Sequence, residues 1–427
     1  MHISTRRGLL AISPICVFLL FYLVVSLAIG DFYKMPISVA LLVASAWAMY
    51  VLRGRTLTER IEVFSAEAGS SNVLYMIWIF VLAGAFAALA REVGSVQATV
   101  NAALQFLPVE MLIPGLFIAA CFISLSIGTS VGTVVALTPL AVEIADAGGE
   151  SVPFFVAVVL GGAFFGDNLS FISDTTIAAT RTQHCKMSDK FKTNFVIVLP
   201  AALLALGLYV VLGVQFDEVQ VDSNVNYWLI VPYLVVIITA LMGINVTVVL
   251  SLGIITALVI AMASGYDLID LFGFMGKGID EVGNLVIITL LAAGLLGVIK
   301  AAHGLEFILS RMSAKVRGPR GAQASVACLV GLVNLCTANN TVAILTVGEL
   351  AAGIGHRFGV DPRKMASLLD TSSCIIQSMI PYGAQTLLAT SLAGISPEAP
   401  WIYLYYPWFL IIMVALSIIF RFPRKSK

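Results

Sequence analysis

The chain has 427 residues, 59% of them hydrophobic and only 11% charged, with 24 basic side chains balanced by 24 acidic ones. A soluble domain carries about 25% charged residues, so a water-soluble enzyme is excluded, and no basic surface for nucleic acid is present. The apolar residues fall in runs of about 18–22, each long enough to cross a hydrocarbon core of roughly 30 Å as a helix, which predicts an all-α polytopic membrane protein.

Taken in chain order, spans are expected at 9–29, 35–52 and 73–90, with an amphipathic stretch before the third. Thr5-Arg6-Arg7-Gly8 precedes the first apolar run, which is longer than a signal-peptide core and lacks a clear cleavage site. An uncleaved first span with a positive cytoplasmic anchor is the expectation. A polar segment, 91–108, leads to an apolar pair, 110–146, broken by the uncharged run Gly128-Thr129-Ser130-Val131-Gly132-Thr133. A tip without charge predicts a re-entrant helical hairpin, because irregular backbone at membrane depth survives only inside protein or beside a watery cavity. An interrupted span at 152–182 and a final span at 193–214 complete the first half.

An external acidic linker, 215–227, separates the halves. The second half, 228–427, repeats the plan with spans at 228–243, 245–263 and 285–302 and a polar segment at 303–320. A second hairpin at 322–355 is broken by the uncharged run Cys336-Thr337-Ala338-Asn339-Asn340-Thr341, followed by an interrupted span at 365–395 and a last span at 400–421. The hairpins share an echo, Thr133-Val-Val-Ala-Leu-Thr138 against Thr341-Val-Ala-Ile-Leu-Thr346, and Asp167 with Ser170 is matched to Asp370 with Ser373. About ten crossings plus two hairpins give an odd number per half, so residues 1–214 and 228–427 are expected to be inverted repeats. With both termini inside, only Lys34, Arg91 and Lys277 fall outside, while Arg181, Lys186, Lys190 and Lys192 form one of the inside basic clusters, as the positive-inside rule requires. The same count fits re-entrant hairpins and full membrane-crossing pairs.

The chemistry concentrates in Gly166-Asp167-Asn168-Leu169-Ser170-Phe171-Ile172-Ser173-Asp174-Thr175-Thr176, where two carboxylates lie inside an apolar run. An ionisable residue at a helix centre costs roughly 2.5–3.5 kcal/mol, which makes Asp167 and Asp174 functional candidates. The surrounding Asn, Ser and Thr side chains are the oxygen donors a hard cation needs in place of water. Asp370 and Ser373 are the second-half candidates, and Thr129, Ser130, Thr133, Asn339, Asn340 and Thr341 those at the hairpin tips. Glu143 and Glu349 fit a capped surface position as well as a buried one, and Tyr403, Tyr405, Tyr406 and Trp408 fit an interfacial aromatic belt. The four histidines and six cysteines form no metal-binding or redox motif.

The run Phe164-Phe165-Gly166-Asp167 to Thr176 resembles the GD-x-x-S-P-x-S-D-T-T signature of NhaC-type sodium/proton antiporters, and Gly128 to Thr133 is similar to that family's GTSWGT hairpin tip. Phe171 stands where the family often has Pro, Val131 where it has Trp, and Asn339-Asn340 where many members have Asp-Gln. The resemblance implies an inner-membrane transporter exchanging Na+ for H+ by alternating access, with Na+ held at Asp167 and Asp174. Asn168, Ser170, Ser173, Thr175, Thr176, Asp370 and Ser373 complete that expected site. No cofactor is expected beyond the transported ions, the surroundings are membrane lipid, and a homodimer is left open as the assembly. A sodium-coupled exchanger of small organic acids such as malate and lactate is the alternative. Against it, no Lys or Arg is placed mid-membrane by the sequence. An intramembrane aspartyl hydrolase and a channel are the more distant readings.

Overall fold

Long runs of Ala, Leu, Ile and Val leave a backbone in lipid only its own hydrogen bonds, and helices are the result. The computed structural model describes residues 5–29, 35–106, 108–170, 173–213, 226–242, 244–313 and 317–423, and all regular structure among them is helical. Most of the expected linker, 215–227, lies outside the described residues. The first half runs α1 (Thr5–Ile29), α2 (Ile37–Val51), the amphipathic α3 (Leu57–Ala68), α4 (Ser71–Glu92) and α5 (Ser95–Phe106). Hairpin arms α6 (Leu112–Ile127) and α7 (Ser130–Ala147) follow, then the broken pair α8 (Val152–Leu169) and α9 (Asp174–Thr182), and α10 (Met187–Gly213).

The second half repeats that order as α11 (Val231–Leu241), α12 (Val246–Ala263), the amphipathic α13 (Leu268–Glu281), α14 (Gly283–Ala301) and α15 (Gly304–Ser313). The arms α16 (Gly318–Thr337) and α17 (Asn340–Phe358), the broken pair α18 (Pro362–Met379) and α19 (Ala384–Leu392), and α20 (Tyr405–Ile419) complete it. Among the described residues seven stretches are long and apolar enough to cross a membrane, and Ile37–Val51, Leu112–Ser126, Tyr227–Thr239 and Tyr405–Ile419 are shorter apolar helices.

The halves keep a common register. α8 and α18 each have 18 residues and α9 and α19 each have 9, and Val152 is as far from Pro362 as Asp174 is from Ala384. The packing is reciprocal: α3 lies on α14 and α13 on α4, α9 meets α17 and α19 meets α7. This register sets Gln377 opposite Asp167, two residues before the end of each long arm, so Asp370 is not the counterpart of Asp167 that the matched serines suggested. A mirrored hydrogen bond supports it: Ser124 Oγ donates to Ala163 O at 2.6 Å, and Asn334 Nδ2 to Ser373 O at 2.7 Å.

Both hairpins turn in two residues. Gly128 (φ +74°) ends α6 and Ala338 (φ +49°) ends α16 in the left-handed conformation, each amide bonding the carbonyl four residues back. Glycine adopts this geometry freely, whereas an L-residue such as Ala338 costs roughly 1–2 kcal/mol. Small residues then let the arms close up. A Cβ on Gly162 would lie 2.5 Å from Ala120 Cβ, and one on Gly166 only 2.6 Å from the Leu125 amide nitrogen, so α6 and α8 touch through their backbones. Gly166→Ala is expected to destabilise the protein by about 1–3 kcal/mol through overpacking, read as a lowered melting temperature in detergent; an unchanged value would show that α6 can withdraw from α8.

One expected boundary moves further than the others. The span predicted from 193 begins instead at Met187, taking Lys190 into α10. Sequence alone made Lys190 a solvated basic residue; a buried carboxylate on α18 is what admits it to the helix.

Candidate functional site

The two tips and the two helix breaks enclose a cavity of about 250 Å³. Its wall is built from Gly128 to Val131 at one tip, Ala338 to Val342 at the other, Asp167, Asp174 and Thr175 at the first break, and Gln377, Ala384 and Gln385 at the second. Among the described residues, Asp167 and Asp174 are the only carboxylates in this wall, and no Lys, Arg or His lines it. Asp167 is buried and Asp174 exposed to the space. Four helices, α7, α9, α17 and α19, begin at the cavity, with Ser130, Asp174, Asn340 and Ala384 in its wall. Their N-terminal partial charges favour negative groups nearby, and Asp167 supplies one: it accepts Ser130 N–H at 3.0 Å and Ser130 Oγ–H at 2.5 Å.

That carboxylate begins a chain joining the halves. Gln385 Nε2 donates to Ser130 Oγ at 3.0 Å, and Gln377 Nε2 donates to Gln385 Oε1 at 2.9 Å and to Ala338 O at 3.1 Å. Gln377 Oε1 is buried with no hydrogen-bond partner among the described residues. An orphaned carbonyl oxygen in a cavity wall suits a cation or a bound donor. At the second tip Asn339 Oδ1 accepts Val342 N–H at 2.9 Å and caps α17, and Asn340 Oδ1 accepts Thr341 N–H at 3.1 Å.

Of the residues singled out from sequence, the fold brings Asp167, Asp174, Thr175, Thr129, Ser130, Asn339, Asn340 and Thr341 to the cavity. The others stand behind its wall. Asn168 Nδ2 donates to Phe164 O and Tyr406 Oη, Ser173 Oγ caps α9 at Thr176 N, and Thr133 Oγ1 bonds Thr129 O within α7. Ser170 is buried, and Ser373 Oγ donates to Asp370 O.

Asp370 belongs to a separate, sealed cluster. Lys190 Nζ lies 2.7 Å from Asp370 Oδ2, with side chains 1% and 0% exposed. The same ammonium donates to Asn168 O at 2.8 Å and Thr176 Oγ1 at 2.6 Å, and Asn194 Nδ2 donates to Asn168 O and Asp370 Oδ2, both at 2.8 Å. Lys190 thus caps the carbonyl end of α8, holds the start of α9 and neutralises α18. The basic residues two turns before Asp370 do not reach it: Arg363 faces Asp361 at 3.6 Å, and Lys364 Nζ bonds Ser417 Oγ and Phe422 O. Gln377, Gln385, Lys190 and Asn194 were not singled out from sequence. Only a register taken from the helix ends points to Gln377, and nothing local marks Lys190.

A bundle of apolar helices, broken at two places around a cavity lined by two carboxylates, defines a multi-pass membrane protein with an acidic internal cavity. The profile of the Na+/H+ antiporter family matches residues 9–214 and 221–423. The chain belongs to the NhaC-type Na+/H+ antiporter family. It is 22% identical to the malate-2H(+)/Na(+)-lactate antiporter of Bacillus subtilis, over 95% of this chain and 93% of that one. It is 23% identical to the Na(+)/H(+) antiporter NhaC of the same organism, over 91% and 92%. The crystal structure of the YdaH transporter from Alcanivorax borkumensis superimposes with a TM-score of 0.44 and 14% identity, covering 96% of this chain and 99% of that one.

Proposed function

We propose that this protein exchanges Na+ for H+ across the cytoplasmic membrane, with both ions competing for the carboxylates of one cavity. The observation that carries this reading is the wall itself: among the described residues it holds two carboxylates, a set of neutral oxygens and no cationic side chain. Na+ would sit against Asp167, with Gln377 Oε1 and the tip oxygens of Asn339, Asn340 and Thr129 as neutral donors; Asp174 is the second charge. A proton on Asp167 removes the negative charge that holds Na+, and Na+ displaces the proton, so one site suffices for exchange. Alternating access follows if the bundle changes side only with an ion bound, the two halves being inverted repeats around the site. Both termini are then cytoplasmic.

A second reading is favoured by the four helix N-termini at the cavity. Their donors suit a small carboxylate bound beside Na+, and the malate/lactate relative from B. subtilis names such substrates. Lys190 does not line the cavity, so an organic acid would be held by helix ends and amides and not by a buried cation.

Everted vesicles from cells without their own antiporters, with a pH-gradient dye, separate the two. Dequenching by NaCl alone, lost in Asp167→Asn and reduced in Asp174→Asn, is expected for Na+/H+ exchange. The apparent KM for Na+ should fall as pH rises, because fewer protons compete. A response that requires malate or lactate together with sodium would sink the simple exchange and establish the organic-acid reading.

A further inference from the structure

A second cavity lies far from the ion site, at the end of the bundle where α16 and α18 begin and α20 stops. It measures about 620 Å³ and is lined by Pro319, Arg320, Gln323, Asp361, Lys364, Phe420 and Arg421, with Gly359, Val360 and Pro423. We propose that this cavity binds a phosphate anion that carries a hydroxyl donor, the headgroup of an anionic phospholipid such as phosphatidylglycerol.

The charge is unbalanced by design of the packing. No carboxylate among the described residues pairs with Arg320, Lys364 or Arg421. Asp361, in the same wall, is turned to its own helix, accepting Arg363 N–H at 3.0 Å. Lys364 is 6% exposed, and its ammonium donates to Ser417 Oγ at 2.7 Å and Phe422 O at 3.0 Å. An ammonium has three donors, so one is left for a ligand. Arg421 takes φ +55°, which turns the chain after α20. The start of α16, preceded by Arg317 without a side-chain cap, adds unpaired amides and a positive helix end.

Gln323 supplies the independent sign of a ligand. It is 4% exposed, lines the cavity, and its Oε1 has no donor among the described residues. A bare phosphate diester satisfies the cations but not this oxygen; a headgroup hydroxyl satisfies both. Phe420, largely exposed beside Arg421, offers an apolar contact that suits an acyl chain more than a soluble ion. Basic pockets between helices at the membrane surface read anionic headgroups in this way. Free phosphate presents the same anion and hydroxyl, so the source is decided by experiment.

The test uses the full chain in neutral detergent, titrated with phosphatidylglycerol, phosphatidylcholine and inorganic phosphate, with bound ligand counted by native mass spectrometry. Wild type is expected to bind phosphatidylglycerol about thirtyfold more tightly than the double variant Arg320→Gln/Arg421→Gln, since each surface cation contributes about a factor of five. The control pair Arg53→Gln/Arg55→Gln, exposed basic residues on the α2–α3 connection, should leave binding unchanged. Gln323→Leu should erase a preference for phosphatidylglycerol over phosphatidylmethanol, a diester without hydroxyls. Inorganic phosphate that binds directly and displaces the lipid would assign the site to a soluble anion. Equal lipid binding by wild type and Arg320→Gln/Arg421→Gln, an equal loss in the control pair, or phosphatidylcholine bound as well as phosphatidylglycerol would overturn the proposal.

Discussion

Asp167→Asn is expected to abolish Na+-driven proton movement while leaving a folded protein. The amide keeps the shape of the side chain and can still accept from Ser130, whose N–H and Oγ–H meet the carboxylate at 3.0 and 2.5 Å. It cannot carry the charge that balances a cation or bind a proton in exchange. Removing one member of a buried charge pair costs about 3–5 kcal/mol, and each 1.4 kcal/mol is tenfold. Na+ affinity should therefore fall by more than about a hundredfold. Isothermal titration with NaCl on the purified variant, beside wild type, measures this directly. Retained affinity within tenfold of wild type would move the ion site away from Asp167.

Lys190→Met should damage stability more than any substitution at the cavity wall. It strands Asp370 as an unpaired charge inside the bundle and removes one of the two donors from each of Asn168 O and Thr176 Oγ1, which keep Asn194 Nδ2 and Ser173 Oγ. Loss of one partner of a buried pair costs about 3–5 kcal/mol, while replacing both by apolar residues of similar size is often neutral. The double variant Lys190→Met/Asp370→Leu should thus recover most of the melting temperature lost by Lys190→Met. If the double variant is as unstable as the single one, the ammonium matters chiefly as the cap of the α8 break. If neither is destabilised, the pair is not closed in the membrane.

The residues legible in sequence share one property: they are polar where polarity is expensive. Asp167 and Asp174 stood out because a carboxylate within an apolar run has a cost that needs a reason, and both reach the cavity. The uncharged tips at Thr129-Ser130 and Asn339-Asn340 stood out for the same reason. Gln377 and Gln385 carry no charge and were passed over, although they join Ser130 to the second hairpin. Asp370 is as conspicuous in sequence, yet it pairs with Lys190 behind the wall. Its serine three positions on imitated the Asp167 pattern, whereas the helix lengths set Gln377 opposite Asp167. Lys190 is the least legible of these residues, since Lys186, Asp189 and Lys192 around it read as a solvated turn.

Apolar run lengths, uncharged interruptions and a repeated order of segments are properties of neighbouring residues, and membrane solvation acts on them locally. They are therefore readable along the chain: the apolar helices, the uncharged turns between paired arms, both breaks and the two carboxylates that reach the cavity. Which oxygens face the cavity and which charges are sealed away depends on pairs far apart in sequence. Asn194 meets Asp370 across the two halves, and Ser130 meets Gln385. Such contacts form only when reciprocal packing of α7 on α19 and α9 on α17 brings the breaks together. A buried lysine is tolerable because a buried aspartate awaits it, and only the tertiary structure decides that the two meet.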